Sequence, residues 1–109
     1  MRADGTRTYR GLADGTVQVI IAGSETTLLS PRLDLHNHSP TGFGWGYGGS
    51  GPAQLALALA ADVLGDDQAA LAVYQSLKER FVSMLPGGHG WGPFSAAEIR
   101  EQIEAVAAA

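Results

Sequence analysis

The chain contains no cysteine, which excludes a disulfide scaffold, a thiolate metal site and a thiol nucleophile. Charge is sparse as well: Asp, Glu, Lys and Arg together make up 17% of the residues, with a formal net charge of −4. A non-specific nucleic-acid binder needs a basic face to displace counterions, so this balance argues against that partner. Long apolar runs are missing. The longest, residues 55–61, is far short of a bilayer span, and the polar stretch 1–14 has no apolar core of the signal-peptide kind. The expectation is a cytoplasmic protein with no membrane partner. What is present is hydrophobic content of 45% in 109 residues and a mean hydropathy of +0.02. That composition describes one globular domain, residues 1–109, able to bury a single core.

The few charges are unevenly placed. Arg2, Arg7, Arg10 and Arg32 stand against Asp4, Asp14 and Glu25 in residues 1–33, a balance of +1 that leaves −5 for the rest. Six of the seven basic residues are Arg. The bias goes with the abundant alanine and glycine of a GC-rich coding sequence and carries no functional weight.

Local patterns predict an α+β fold with a small sheet first and helices after it. Residues 6–12 form a short candidate strand, and Ala13-Asp14-Gly15 supplies the positive φ angles of a tight hairpin. In residues 16–22 Val17, Val19 and Ile21 alternate onto one face, the strongest strand signal in the chain. After a turn at Gly23-Ser24-Glu25, residues 26–29 make a third strand that stops at Ser30-Pro31. This predicts a three-stranded antiparallel meander over residues 6–30, with room for a fourth strand around residues 33–36. Three helices are predicted to cover it. Residues 52–64 are apolar almost all round, as in a helix buried on most sides, with Pro52 in the first turn and Gly65 at the left-handed C-terminal position. Asp66 or Asp67 caps a second helix over residues 67–85, whose apolar stripe is Leu71, Tyr74, Leu77, Phe81 and Leu85. Ser95 and Glu98 have capping-box spacing before a third helix over 96–107, with Phe94 and Ile99 as the hydrophobic staple. The all-round apolar character of residues 55–64, together with the alanine-rich last helix, predicts a homo-oligomer, most simply a symmetric dimer.

The glycine-rich loop, residues 39–51, holds most of the functional information. Six of the ten residues from Gly42 to Gly51 are glycine, interleaved with Phe43, Trp45 and Tyr47. Such density in an ordered domain implies special backbone angles or close approach of backbone to something else. The run ends at the start of the buried helix, where free N–H groups and the helix dipole favour an anion. The candidate ligand-binding residues are therefore Gly48, Gly49, Ser50, Gly51 and Gln54, flanked by His38, Trp45 and Tyr47. The alternative is that the loop is a rigid plug over the sheet, with Trp45 and Tyr47 as packing.

Named motifs fail here. Gly46 to Gly51 matches G-x-G-x-x-G, but no apolar strand precedes it and none follows the helix, so a dinucleotide fold is rejected. A P-loop needs Gly-Lys-Ser/Thr where this chain has Gly51-Pro52-Ala53. Pro52 also breaks G-x-S-x-G, and Ser50 reads as a helix-capping hydroxyl rather than a nucleophile. Asp34, His36 and His38 alternate as metal ligands can, yet the preferred reading is that His38 orders the loop and His36 is solvated. No metal, cofactor or catalytic residue is expected. Trp91 reads as packing against the last helix.

The stretch HSPTGFGWGYGGSGPAQLALALAAD, residues 38–62, resembles a family of small bacterial and phage proteins of unknown function with the signature S-P-T-G-F-E-W-G-Y-G-G-S-G-P-A-Q-L-A-L-A. Tyr74, Gln75 and Lys78 fit the same pattern, as does the tail around Trp91 and Ile99. Gly44 departs from it, standing where the family pattern has Glu; a role that needs that carboxylate would be absent here. The resemblance implies no activity. Three functions are weighed. The first is a small non-enzymatic binding protein for a phosphorylated or nucleotide-like ligand, of the sequestering kind found in phage and host conflict, with an arginine from the sheet as counter-charge. The second is a protein-interaction inhibitor of an anti-defence or anti-CRISPR type that binds an effector protein. The third and weakest is a small hydrolase using His38 with Asp34, for which no full set of tuned polar groups can be assembled.

Overall fold

An Asp-Gly turn closes the first hairpin. Asp14 Oδ1 accepts from the Thr16 amide at 3.0 Å and from Thr16 Oγ1 at 2.7 Å, while Gly15 takes φ +93. The turn joins β1 (Arg7–Gly11) to β2 (Val17–Ile21), antiparallel with Tyr9 opposite Val19. The computed structural model describes residues 7–108, so Thr6, expected as the first strand residue, lies outside the described residues. β3 (Thr27–Leu28) pairs with β2 and is shorter than the predicted 26–29.

The sheet has a fourth strand in a place the sequence did not indicate. β4 (Trp91–Ser95) pairs antiparallel with the other edge of β1, giving the order β3-β2-β1-β4. The meander of residues 6–30 is therefore three parts of a four-stranded sheet, and residues 33–36 are not the fourth: Leu33 to Leu35 form a turn in which the Leu35 amide donates to the Arg32 carbonyl at 3.0 Å. Gly92-Pro93 breaks the alternation that marks a strand, and Pro is tolerated because β4 is an edge. Trp91 thus belongs to the sheet, with its indole laid over Gly11 of the neighbouring strand. A Cβ at Gly11 would fall 2.2 Å from Trp91 Nε1.

Helix α1 (Ser50–Leu64) starts two positions before the expected residue 52. Gly65 ends it in the left-handed region, φ 65, with its amide donating to Ala61 O at 2.9 Å. Helix α2 (Asp67–Arg80) is capped by Asp66, whose Oδ1 accepts from the Ala69 amide at 3.1 Å. It stops at Arg80 rather than 85, and the chain tightens into a 3-10 turn, Val82–Met84. Helix α3 (Ala96–Ala108) carries the predicted capping box in both directions: Ser95 N donates to Glu98 Oε1 at 2.9 Å and Glu98 N to Ser95 Oγ at 3.0 Å.

Helix α1 is the centre of the core. Leu55, Leu57 and Leu59 are fully buried, each contributing about 1.5–3 kcal/mol by transfer from water. Residues 53–61 are covered by the chain's own sheet and helices, so the apolar character of α1 does not by itself call for a second copy. At its far end Asp62 reaches β1: Oδ2 accepts from Arg7 Nη1 at 2.8 Å and from the Tyr9 hydroxyl at 2.6 Å. Burial, with the neighbouring carboxylate, pushes the Tyr9 hydroxyl well above its ordinary range and keeps it a donor. No helix among the described residues is long and apolar enough to cross a membrane.

Candidate functional site

The glycine-rich loop and the first hairpin turn enclose a groove with two lobes that share Gly15 and Phe43. The first, about 270 Å³, is walled by Val17, Leu28, Leu29, Pro31 and Phe43. The second, about 260 Å³, is walled by Phe43, Gly44, Trp45, Tyr47 and Gly88. Asp14, at the rim of the first lobe, is the one charged residue among the described residues that lines either. Its carboxyl is held below the usual range by the two hydrogen bonds from Thr16, so it is occupied within the turn.

The loop's glycines are explained by close approach. A Cβ on Gly46, which sits at φ +81, would lie 2.5 Å from Gly87 Cα; one on Gly51 would lie 2.9 Å from the Gly44 nitrogen. Trp45 is buried, donates Nε1 to the His89 carbonyl at 2.8 Å and meets Trp91 edge to face at 5.8 Å. Tyr47 is 55% exposed and folds back over the start of α1, its hydroxyl 3.0 Å from where a Gly51 Cβ would be. Gly48 and Ser50 are exposed and Gly49 is half-buried. The N-cap is Gly49, not Ser50, and no side chain caps this end or adds an acid in the first turn. The expected capping role of the Ser50 hydroxyl is thus corrected. The first amides of α1 have no intrahelical acceptor, as at any helix start.

Gln54 and His38 lie elsewhere. Gln54 is fully buried, and both ends of its amide face main chain. Oε1 accepts from the His38 amide at 2.8 Å and the Ser39 amide at 3.1 Å, and Nε2 donates to the carbonyls of Pro31 and of His36, the latter at 3.0 Å. A primary amide has two donor and two acceptor positions, so Gln54 has nothing left to present to a ligand. His38 Nε2 lies 2.8 Å from the Tyr74 hydroxyl on α2, and its ring stacks on that of His36 at 4.0 Å. Neither residue lines the groove. Asp34 turns to Arg32, which also holds Asp67 at the start of α2, and this guanidinium keeps the Asp34 carboxyl below its usual range. Asp34, His36 and His38 therefore do not converge, and among the described residues no group of three His, Cys, Asp or Glu could hold a metal.

Of the residues expected at the site, Trp45 and Tyr47 line the groove; Gly49 and Gly51 lie against the Tyr47 side chain, and none of Gly48 to Gly51 is part of the groove's lining. Phe43, Leu28 and the Asp14 turn complete it and were not singled out as site residues. Phe43 was legible: it is the first of the three interleaved aromatics. Leu28 was not, because nothing local ties a strand residue to a loop that follows it.

No curated protein and no solved structure matches the chain. DUF6166, a family of unknown function, matches residues 5–105, nearly the whole length, and the chain belongs to that family.

Proposed function

We propose that the protein is a non-enzymatic binding module whose site is the groove on either side of Phe43. The observation that carries this reading is that the aromatic lobe ends beside the α1 N-terminus, which no side chain caps, with Tyr47 touching both. A nucleotide-like or other phosphorylated ligand matches such a pair of features. Its flat or apolar part packs against Phe43, Tyr47 and the wall from β2 and β3, and its anionic end meets the free amides and positive dipole end of α1. Among the described residues no basic side chain lines either lobe, so the backbone supplies the recognition of charge, and Asp14 orients the ligand with its anion away from the hairpin turn. Sequestration of such a ligand in phage and host conflict is the role that fits a small module without catalytic groups.

A thermal-shift screen with nucleotides, cyclic dinucleotides, nicotinamide dinucleotides and inorganic phosphate tests the reading. A true ligand at a hundredfold excess over its dissociation constant stabilises the fold by about 2.7 kcal/mol. No shift with any of them would overturn it and favour the second reading, an effector protein as the partner. The observation behind that alternative is the pair of exposed apolar side chains at opposite rims of the groove, Leu28 at 66% and Tyr47 at 55%.

A further inference from the structure

We propose that His36 and His38 form an acid-sensitive latch that holds the wall of the groove in place. The two rings stack at 4.0 Å with an interplanar angle of 28°, an arrangement open to two neutral imidazoles and opposed by Coulomb repulsion between two imidazolium ions. On the other side of the His38 ring stands the Tyr74 hydroxyl. Its oxygen already accepts from Gln75 Nε2 at 3.2 Å, and toward His38 the hydroxyl donates to a bare Nε2 or accepts from a protonated one, according to the tautomer. Protonation of the ring fixes Nε2 as a donor, so the hydroxyl must turn its own proton away from the ring. The groups that face His38 are His36 on its own loop, Tyr74 and Lys78 on α2, and neutral Gln54 on α1 at its amide; no carboxylate hydrogen-bonds either ring among the described residues.

The latch is joined to the groove by the chain itself. His38 and Ser39 share the Gln54 carboxamide oxygen, Ser39 Oγ donates to the Gly42 carbonyl at 2.7 Å, and Thr41, Gly42 and Phe43 are the wall of the first lobe. Burial, then His36 and Lys78, lower the His38 pKa from its ordinary value. The sign follows: the folded state binds this proton less readily than the unfolded chain. The stability it contributes is complete above about pH 6.5 and is lost as pH falls through the folded value. Only the consequence for binding rests on the groove reading; the latch does not.

The test is an NMR titration of the full chain from pH 8 to 5 without ligand, following the His38 ring and the backbone amides. The expected result is that the Ser39, Thr41, Gly42 and Phe43 amides move with the midpoint of the His38 ring. His36→Asn removes the like charge and raises that midpoint. Tyr74→Phe removes the ring's hydroxyl partner and shifts the same amides already at pH 8, and His38→Gln abolishes their movement over this range. Amides that stay still while the His38 ring titrates would overturn the latch, as would a midpoint that His36→Asn leaves unchanged. Because no ligand is used, a failed latch and a failed groove are told apart.

Discussion

Residues 31–39 and residues 42–49 are both long stretches of irregular chain, and they are held by opposite means. The first is bracketed by side chains: Gln54 grips four of its main-chain groups, Arg32 ties it to Asp67, and His38 meets Tyr74. The second is held by backbone lying against backbone. Gly46 packs on Gly87 and donates its amide to Val82 O at 3.2 Å, and Gly51 packs on Gly44. A polar bracket tolerates many residues in the held segment but depends on one side chain elsewhere. A glycine bracket depends on the held residues themselves.

The sharpest way to break the contrast is Gln54→Ala. It opens a cavity at a fully buried position and strands two carbonyls and two amides, with an expected loss of about 3–5 kcal/mol. At roughly 4–8 °C per kcal/mol the melting temperature should fall by more than 10 °C, read by circular dichroism. A melt within 3 °C of wild type would mean that residues 31–39 are held by something else. Gly46→Ala should come next, at about 2–4 kcal/mol in chemical denaturation, because its Cβ meets the main chain of Gly87 at a positive φ. Tyr47→Ala sharpens the comparison from the side of function. Half exposed and with no main-chain group depending on it, it should leave stability within about 0.5 kcal/mol while weakening a groove ligand at least about tenfold by calorimetry, a loss of about 1.4 kcal/mol. The smallest effect belongs to Gly48→Ala. With open space around its Cβ and no left-handed φ, it should stabilise slightly, by up to about 0.4–1 kcal/mol, through a stiffer unfolded chain. A large loss there would show that the whole glycine run is architecture.

What the sequence made legible follows from where its signals are local. The Asp14-Gly15 turn, the Gly65 stop, the Asp66 cap and the Ser95-Glu98 box each lie within a few residues of the element they set, and each is found as expected. β4 escaped because its pairing is with a strand some eighty residues earlier, and Gly92 and Pro93 erase the period that would have marked it. Gln54 was placed at the ligand because it sits in the first turns of α1. The better signal was its surroundings: an uncharged amide flanked by the apolar run of residues 55–61 and by Pro52 and Ala53 must find partners inside the core. The loop's aromatics and glycines announced a special conformation, but which of them face water depends on Gly87 and Trp91, residues that the loop's own sequence does not mention.

The strand order has a consequence for how the protein is made. β1 is an inner strand, yet the neighbour on one of its edges is β4, close to the last helix. As the chain leaves the ribosome, the early hairpin can pair β1 with β2 while the opposite edge stays bare until residues 91–95 emerge. α3 can cover its part of the core only after that. Closure of the sheet therefore waits for residues 91–95, and a chain cut before Trp91 should present an open sheet edge of the kind that recruits chaperones or other copies of itself.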